Sequence, residues 1–352
     1  MAFNADDYKN PQCRVYIDGS ELKNSKYHIE SVNVQITGSQ KSNGCDVMIL
    51  ADYDYKNSCI AEGLMKKIVV GKKVKVEMGY KIPKPVFMGY INYVSTSFSE
   101  GGVEISFSCL DARGLLMGNS TWQTYENESM SQIITKMLNP LKPYTDGVEV
   151  NVPGKADKEN PLSQHDLDDY QYICLLAKLT GSSFCMPGTK LKFVKNIYKT
   201  GSRQADYKWG RDLLSLERNV ELAEQLGAVN VTGNAPDSIK PFSATAKPPA
   251  GGKSGAQLNS LVKAKERNLT TYAVKDQSEA KAYADSLMME ASMKLCTGSA
   301  KVLGNEKLVP GGKVKFDGLD PELNGDYYMV SVSHSFSESG FITTIGFAKP
   351  TV

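Results

Sequence analysis

The sequence predicts a β-rich α+β chain: two similar antiparallel β-barrel domains, one in each half, with a smaller mixed α/β insertion. Three observations carry this expectation. Ser97-Phe-Ser-Glu-Gly-Gly-Val-Glu-Ile-Ser-Phe-Ser108 lies over Ser335-Phe-Ser-Glu-Ser-Gly-Phe-Ile-Thr-Thr-Ile-Gly-Phe347, with Phe98 on Phe336, Gly102 on Gly340 and Ile105 on Thr343. The likeness runs backwards without a gap, placing Tyr90 on Tyr328, Val94 on Val332 and Ser95 on Ser333. Earlier still, Val70-Gly-Lys-Lys-Val-Lys-Val76 matches Pro310-Gly-Gly-Lys-Val-Lys-Phe316. Each copy alternates with period two, the signature of a half-buried strand. Two copies separated by most of the chain indicate a duplicated domain, since a solenoid needs a short repeated period.

The elements follow in order. Arg14–Ile17 reads as a strand running into a turn at Asp18-Gly19. His28–Ile36 sets Val32, Val34 and Ile36 on one face, and Cys45–Leu50 follows. Val69–Met78 places Val74, Val76 and Met78 opposite Lys73, Lys75 and Glu77. Phe87–Phe98 and Val103–Cys109 complete the first module, assigned to 1–118. Ser129 caps a short helix that stops at Pro140, and Val148–Val152 is a strand. A polar connector over Pro153–Asn160 closes a small mixed domain at 119–162. The next region, 163–233, carries a helix over 168–180 capped by Asp168 or Asp169, with Tyr170, Ile173, Cys174 and Ala177 as its apolar stripe and Gly181 after its end. Lys190–Val194, Leu213–Asn219 and Val229–Thr232 are further strands. The Pro/Gly-rich stretch 234–256 offers little to bury and reads as a mobile loop. Asp276 starts a helix over 276–296, and the second module completes 257–352. In that module Tyr328, Val330, Val332, His334 and Phe336 share one strand face, and Ser337–Gly340 turns the hairpin.

Composition excludes several functions. With 41 basic and 39 acidic residues the net charge is +2, a balance that gives no support to a dedicated nucleic-acid binder, whose domain carries a marked basic excess. No run of about 18 apolar residues exists to span a membrane. The N-terminus has neither the basic nor the apolar region of a signal peptide, so the protein is expected to be made in a reducing cytoplasm. The seven cysteines are scattered without a Cys-x-x-Cys pair. A catalytic site needs a nucleophile and base, a metal set or tuned carboxylates. None is legible: no Gly-x-Ser-x-Gly elbow occurs, and the three histidines, His28, His165 and His334, stand apart. His334, between Val332 and Phe336, reads as a core histidine. Asp166, Asp168 and Asp169 could hold a cation in a loop, but capping explains at least one of them more simply. No enzyme, cofactor or metal is expected.

Two stretches carry a family resemblance. Gln164, Asp168-Asp169, Tyr170, Tyr172-Ile173, Leu175-Leu176-Ala177 and Gly181 resemble a segment of the phage late control D protein and VgrG hub families. Pro310-Gly311, Asn324-Gly325, Tyr327-Tyr328, Val330-Ser-Val-Ser-His-Ser-Phe336 and Gly340-Phe341-Ile342-Thr343 resemble the closing pattern of the same families. The resemblance implies a structural baseplate hub of a contractile phage tail or phage-tail-like bacteriocin. Such a hub is a homotrimer whose two tube-like barrels per subunit make a pseudo-six-fold ring, joining an inner tube or tube-initiator protein to a trimeric spike among other baseplate proteins and the tape-measure protein. Because the chain stops after the second module, the spike is expected to be a separate protein. The alternatives are a distal adaptor of a non-contractile tail and a tail-associated cell-wall hydrolase. Tyr90, Val94, Phe98, Tyr170, Tyr172, Gly181, Asn324, Gly325, Tyr328, Val332, His334, Phe336 and Phe341 are the expected core and interface positions.

Overall fold

In the computed structural model, which describes residues 10–61, 63–100, 102–126, 128–152, 162–234, 241–271 and 274–352, one sheet of 13 strands runs through both halves of the chain. Its first six long strands are β1 (Gln12–Ile17), β2 (Tyr27–Thr37), β3 (Gly44–Ala51), β4 (Lys73–Gly79), β5 (Lys84–Ser99) and β6 (Gly102–Leu110). Its second six are β7 (Arg203–Lys208), β8 (Leu213–Val220), β9 (Cys296–Leu303), β10 (Lys313–Asp317), β11 (Gly325–Ser337) and β12 (Gly340–Lys349). Hydrogen bonding orders the first set β2-β3-β6-β5-β4-β1 and the second β8-β9-β12-β11-β10-β7. The strand order is the same in both. One pairing differs in direction: β1 runs antiparallel to β4, whereas β7 runs parallel to β10.

The duplication extends to irregularities that no alternation pattern encodes. Glu30 is the extra residue of a bulge in β2, and Leu214 is the extra residue at the matching place in β8. Asn92 is extra in β5 and Val330 in β11, again at matching positions. A bulge adds a residue to one strand and bends it. The long strands β5 and β11 use this bend to serve two layers, pairing with β4 or β10 before it and with β6 or β12 through and beyond it. Each sheet thereby folds over its own core. Gly71 N–H donates to the Ile91 carbonyl and Ile91 N–H to that of Lys72; Gly311, Met329 and Gly312 repeat both bonds, at 2.8–2.9 Å. Gly71 (φ 89°) and Gly311 (φ 94°) hold the left-handed backbone these turns require.

The modules are not two separate barrels. Ser331–Ser337 of β11 pairs antiparallel with Ser31–Thr37 of β2, so the ladder passes from one half to the other. The second half of β11 extends beyond β10 and leaves an open edge that β2 fills. Phe341 of β12 then sits in the first module's core, beside Tyr80.

Several sequence expectations are corrected. The strand expected from Val69 starts at Lys73, because Gly71 turns the chain and leaves Val69 and Val70 exposed. Tyr328 and Val330 do not share the buried face of Val332 and His334. The bulge at Val330 shifts the alternation by one, so Tyr327 and Met329 point into the core. Within 234–256, expected to be a loop, Pro241–Ala246 pairs with Ala228–Asn234 and buries Ala244 and Ala246. The helix expected over 276–296 ends at Ser292, and Cys296 already begins β9. Pro153–Asn160 lies outside the described residues.

Two smaller units interrupt the sheet. Between β6 and β7, the helices α1 (Met130–Leu138) and α2 (Asp169–Leu179) pack with a three-stranded sheet of Val148–Val150, Leu191–Lys195 and Ser182–Cys185. A single core containing Ile133, Tyr172 and Phe193 spans the expected 162/163 boundary. Ser129 and Asp168 cap the two helices through capping boxes. Between β8 and β9, α3 (Gln277–Ser292) covers Ala228–Asn234 and its two partner strands with Ala280, Ala284 and Leu287. That helix therefore belongs to an insertion with its own core rather than to the second module.

Candidate assembly surface

Beyond the bulges, eight strands form one uninterrupted arc in the order β8-β9-β12-β11-β2-β3-β6-β5. Its inner-layer residues, such as Val32, Val47, Phe107, Val332 and Ile345, are buried against the two module cores. The opposite face follows from the alternate positions. Cross-strand neighbours there include Ser95 with Ser106, Ser331 with Thr37, Ser335 with Asn33, and Ser333 with both Gln35 and Thr344. This face mixes small hydroxyls and amides with the carboxylates of Glu104 and Glu217 and with the larger Met48, Leu50, Tyr93 and Ile342. Asp46 on it accepts a 2.5 Å hydrogen bond from the Ser108 hydroxyl, and Lys301 lies between Ser215 and Thr344.

The arc ends in two edges that carry no strand partner among the described residues. One is the second half of β5, Tyr93–Ser99, which pairs only with β6. The other is Ser215–Val220 of β8, which pairs only with β9. The β5 edge exposes Phe98 (62%) and Tyr93 (58%), whereas the β8 edge exposes Val220 (46%) beside the charged Glu217 and Arg218.

The expected positions fall in four places. Val94 and Phe98 lie on the open β5 edge, while Tyr90 is buried before the bulge with its ring edge-on to Tyr144 at 6.1 Å. Val332, His334, Phe336 and Phe341 are together at the junction of the two modules. Tyr170, Tyr172 and Gly181 belong to the α2 unit, where Tyr170 meets Phe184 edge-on and Tyr172 stacks on Tyr125. Asn324, Gly325 and Tyr328 open β11: the Asn324 side-chain carbonyl accepts from Leu319 N–H at 3.0 Å, and Tyr328 carries Lys313 over its ring.

The imidazole of His334 is fully buried, 3.0 Å from the Thr343 hydroxyl through Nδ1. Burial pushes its pKa down to about 4, so it is neutral at ordinary pH. Asp168 is committed to capping α2 and to Gly118 N–H, and Asp169 accepts from Asn119 and Gln164. No group of three potential metal ligands comes together among the described residues. A cleft of about 580 Å³ between α2 and α3 is lined by Gly181, Ser278, Ser286, Lys199 and the ion pair of Lys281 with Asp285. Among the described residues no helix is long and apolar enough to cross a membrane.

One structural pair escaped the sequence reading. Asp111 and Arg113 are both fully buried. The Arg113 guanidinium donates to Asp111 at 2.8 and 3.1 Å, to the Asn43 side chain at 3.1 Å, and to the carbonyls of Ser39 and Phe184. Asn43 in turn donates to the Met186 carbonyl at 2.7 Å. This clamp fastens the α2 unit to the first module. Its only trace in the sequence is a charged pair two apart directly after an apolar strand.

A family model described as the Alg8 N-terminal domain matches residues 8–338. No curated protein matches the chain. Among solved structures it is similar to a 43 kDa tail protein of prophage MuSo2 from Shewanella oneidensis, with TM-score 0.72, 13% identity, and coverage of 97% of this chain and 99% of that one. A tail protein from Neisseria meningitidis MC58 gives TM-score 0.68 and 13% identity, covering 97% of each chain. An E. coli type VI secretion system component, described as structurally similar to the T4 bacteriophage tail proteins gp27 and gp5, gives TM-score 0.60 and 11% identity over 95% of this chain and 76% of that one. The fold is therefore that of phage tail and type VI secretion proteins.

Proposed function

The chain belongs to the family described as the Alg8 N-terminal domain, and from that premise and its tail-protein fold we propose that it is a structural baseplate hub of a contractile phage tail or a related tail-like injection particle. In this reading three copies form a ring that joins a six-fold inner tube to a three-fold spike. The observation that carries it is the duplication itself, which repeats the order of six strands and the position of two bulges. Two like modules in each of three copies present six quasi-equivalent units to a six-fold partner, while the true three-fold remains for a trimeric one. The hydroxyl-rich face then lines the passage, with Asp46, Glu104 and Glu217 against Lys301 making it slightly acidic.

The test is the mass of the purified full chain by light scattering at micromolar concentration, followed by electron microscopy of the particle with this subunit located. A trimer seated as a collar between tube and spike is expected. A monomer at every concentration, or a subunit found away from the tube axis, sinks the proposal.

A further inference from the structure

We propose that the turn leading into β4, residues 65–73, docks an acidic segment of a partner protein that presents an aliphatic side chain beside an aromatic one. The inference concerns a surface of the first module alone and does not depend on how many copies make the ring.

The two modules make the same turn before β4 and β10, but only one of the turns is covered. Val69-Val70-Gly71 lies over Val309-Pro310-Gly311, and the residues just before them, Ile68 and Leu308, are both buried. From there the copies part. Val69 is 45% exposed and Val70 59%, and a Cβ built on Gly71 meets nothing within 4 Å. Pro310, Gly311 and Gly312 are buried, and a Cβ built on Gly311 lies 2.9 Å from the Ile197 side chain. The cover is residues 196–204 of the same chain. Ile197 packs on Gly311, Gly201 backs onto the Gly311 carbonyl, and Tyr198 stands edge-on to Tyr328 at 6.1 Å. The Gln204 amide holds Val309 through both its backbone groups. Its Nε2 donates to the Val309 carbonyl at 3.1 Å, and Val309 N–H donates to its Oε1 at 2.9 Å. Among the described residues no side chain does this for Val69.

The cause is the one pairing that differs in direction between the modules. β7 runs parallel to β10, so the chain reaches it by passing over the turn, and the Ser202 carbonyl accepts from Lys313 N–H on the way. β1 runs antiparallel to β4. It enters beside Gly79 and leaves at Asp18, whose N–H donates to the Lys73 carbonyl. Among the described residues no segment is therefore routed over Val69 and Val70.

Charge names the occupant. Lys66, Lys67, Lys72 and Lys73 take the places of Glu306, Lys307, Gly312 and Lys313, so four positive charges stand where the second module has two and a carboxylate. The carboxylate paired with them among the described residues is Asp18, 3.8 Å from Lys72. A copy of the internal cover would set its own Lys199 and Arg203 against this surface. The segment that fits keeps the neighbouring aliphatic and aromatic side chains and reverses the charge. Apolar residues among lysines also suit an anionic bilayer. The second module favours a peptide, because its cover bonds the backbone of the turn through an amide, which an acyl chain cannot do.

The test uses the full chain and two labelled peptides: residues 196–204 as they stand, and the same segment with Lys199→Glu and Arg203→Glu. Fluorescence anisotropy at low salt should show the acidic peptide bound at least about tenfold more tightly than the native one, and about 0.5 M salt should weaken it at least about tenfold. Val70→Asp should weaken it by as much, with the thermal melt and the mass by light scattering unchanged. Lys66→Glu with Lys67→Glu should invert the preference between the peptides, which a merely sticky patch would not do. Phosphatidylglycerol vesicles should leave the chain in the supernatant on sedimentation. Neither peptide bound at about 1 mM, equal binding by Val70→Asp, or a chain carried down by vesicles overturns the proposal. So does a Val70→Asp chain that loses the native mass, since the patch is then a contact between copies. Charge-selective peptide binding by a chain that is monomeric throughout sinks the ring reading alone.

Discussion

Replacing Arg113 with methionine is expected to detach the α2 unit from the first module. The substitution keeps most of the side-chain volume and removes only the charge and its donors. What remains is a fully buried Asp111 carboxylate that loses Arg113 partners at 2.8 and 3.1 Å, together with the Ser39 and Phe184 carbonyls that lose a donor. At 2.8 Å and an effective dielectric of about 20, the attraction between the two charges is about 6 kcal/mol, most of it offset by desolvation of both groups. Removing one partner forfeits the attraction but leaves the other charge desolvated, and such changes cost about 3–5 kcal/mol. Hydrogen exchange reads this locally. Amides of Ser182–Cys185 and of the 39–43 segment should lose protection by at least about 100-fold, since 1.36 kcal/mol is a factor of ten. Arg113→Lys, which keeps the charge without the planar fork, should fall between the variant and the native protein. In an Asp111→Asn background, Arg113→Met should cost clearly less than it does alone, because no charge is then stranded. Protection in Arg113→Met within about threefold of the native value would refute the clamp.

Four further outcomes follow from the packing. His334 has a folded pKa of about 4 against an ordinary value of 6.5, so on acidification the unfolded chain takes its proton first. Its contribution to stability is therefore complete above pH 6.5 and falls away between 6.5 and about 4, by about 3 kcal/mol in all; His334→Asn should flatten that part of a urea-melt pH series relative to the native protein. Phe341→Ala should cost about 3–5 kcal/mol at the module junction. Gly304→Ala puts a Cβ 2.1 Å from the Phe341 ring and should be harmful in the native background but mild in Phe341→Ala, a coupling that paired urea melts would expose. Gly102 (φ 121°) and Gly340 (φ 111°) hold matching hairpin turns with open space around a built Cβ. Alanine at either should therefore cost about 1–2 kcal/mol from backbone strain alone, and equal losses in thermal melts would mark the two turns as equivalent.

Alternation and capping are local, and they were legible. Val32, Val34 and Ile36 announce their buried face by period two, and Ser129 announces its helix as a cap, while the choice between Asp168 and Asp169 fell to the structure. The likeness of Ser97–Ser108 to Ser335–Phe347 announced a repeat, because equivalent hairpins reuse the same turn glycines. Bulges are different. Nothing about Val330 or Asn92 marks it as the extra residue, since the choice depends on the strand opposite, and that shift moved Tyr328 off the core face. The Asp111–Arg113 clamp was equally hidden, because its acceptors at Ser39 and Phe184 are far away in the chain. The strand at Pro241–Ala246 was masked by a composition that reads as a linker until a partner strand at Ala228–Asn234 supplies its hydrogen bonds.

By itself, then, the order of residues determined that one strand-rich unit is written twice, because periodicity and turn chemistry act between near neighbours. Only the tertiary structure decided that the two units share a single ladder through Ser331–Ser337 and Ser31–Thr37, and that the arc stops at two edges with no strand partner among the described residues. A strand's backbone bonds alike with any strand that reaches it, so the identity of its neighbour is fixed by the path of the whole chain.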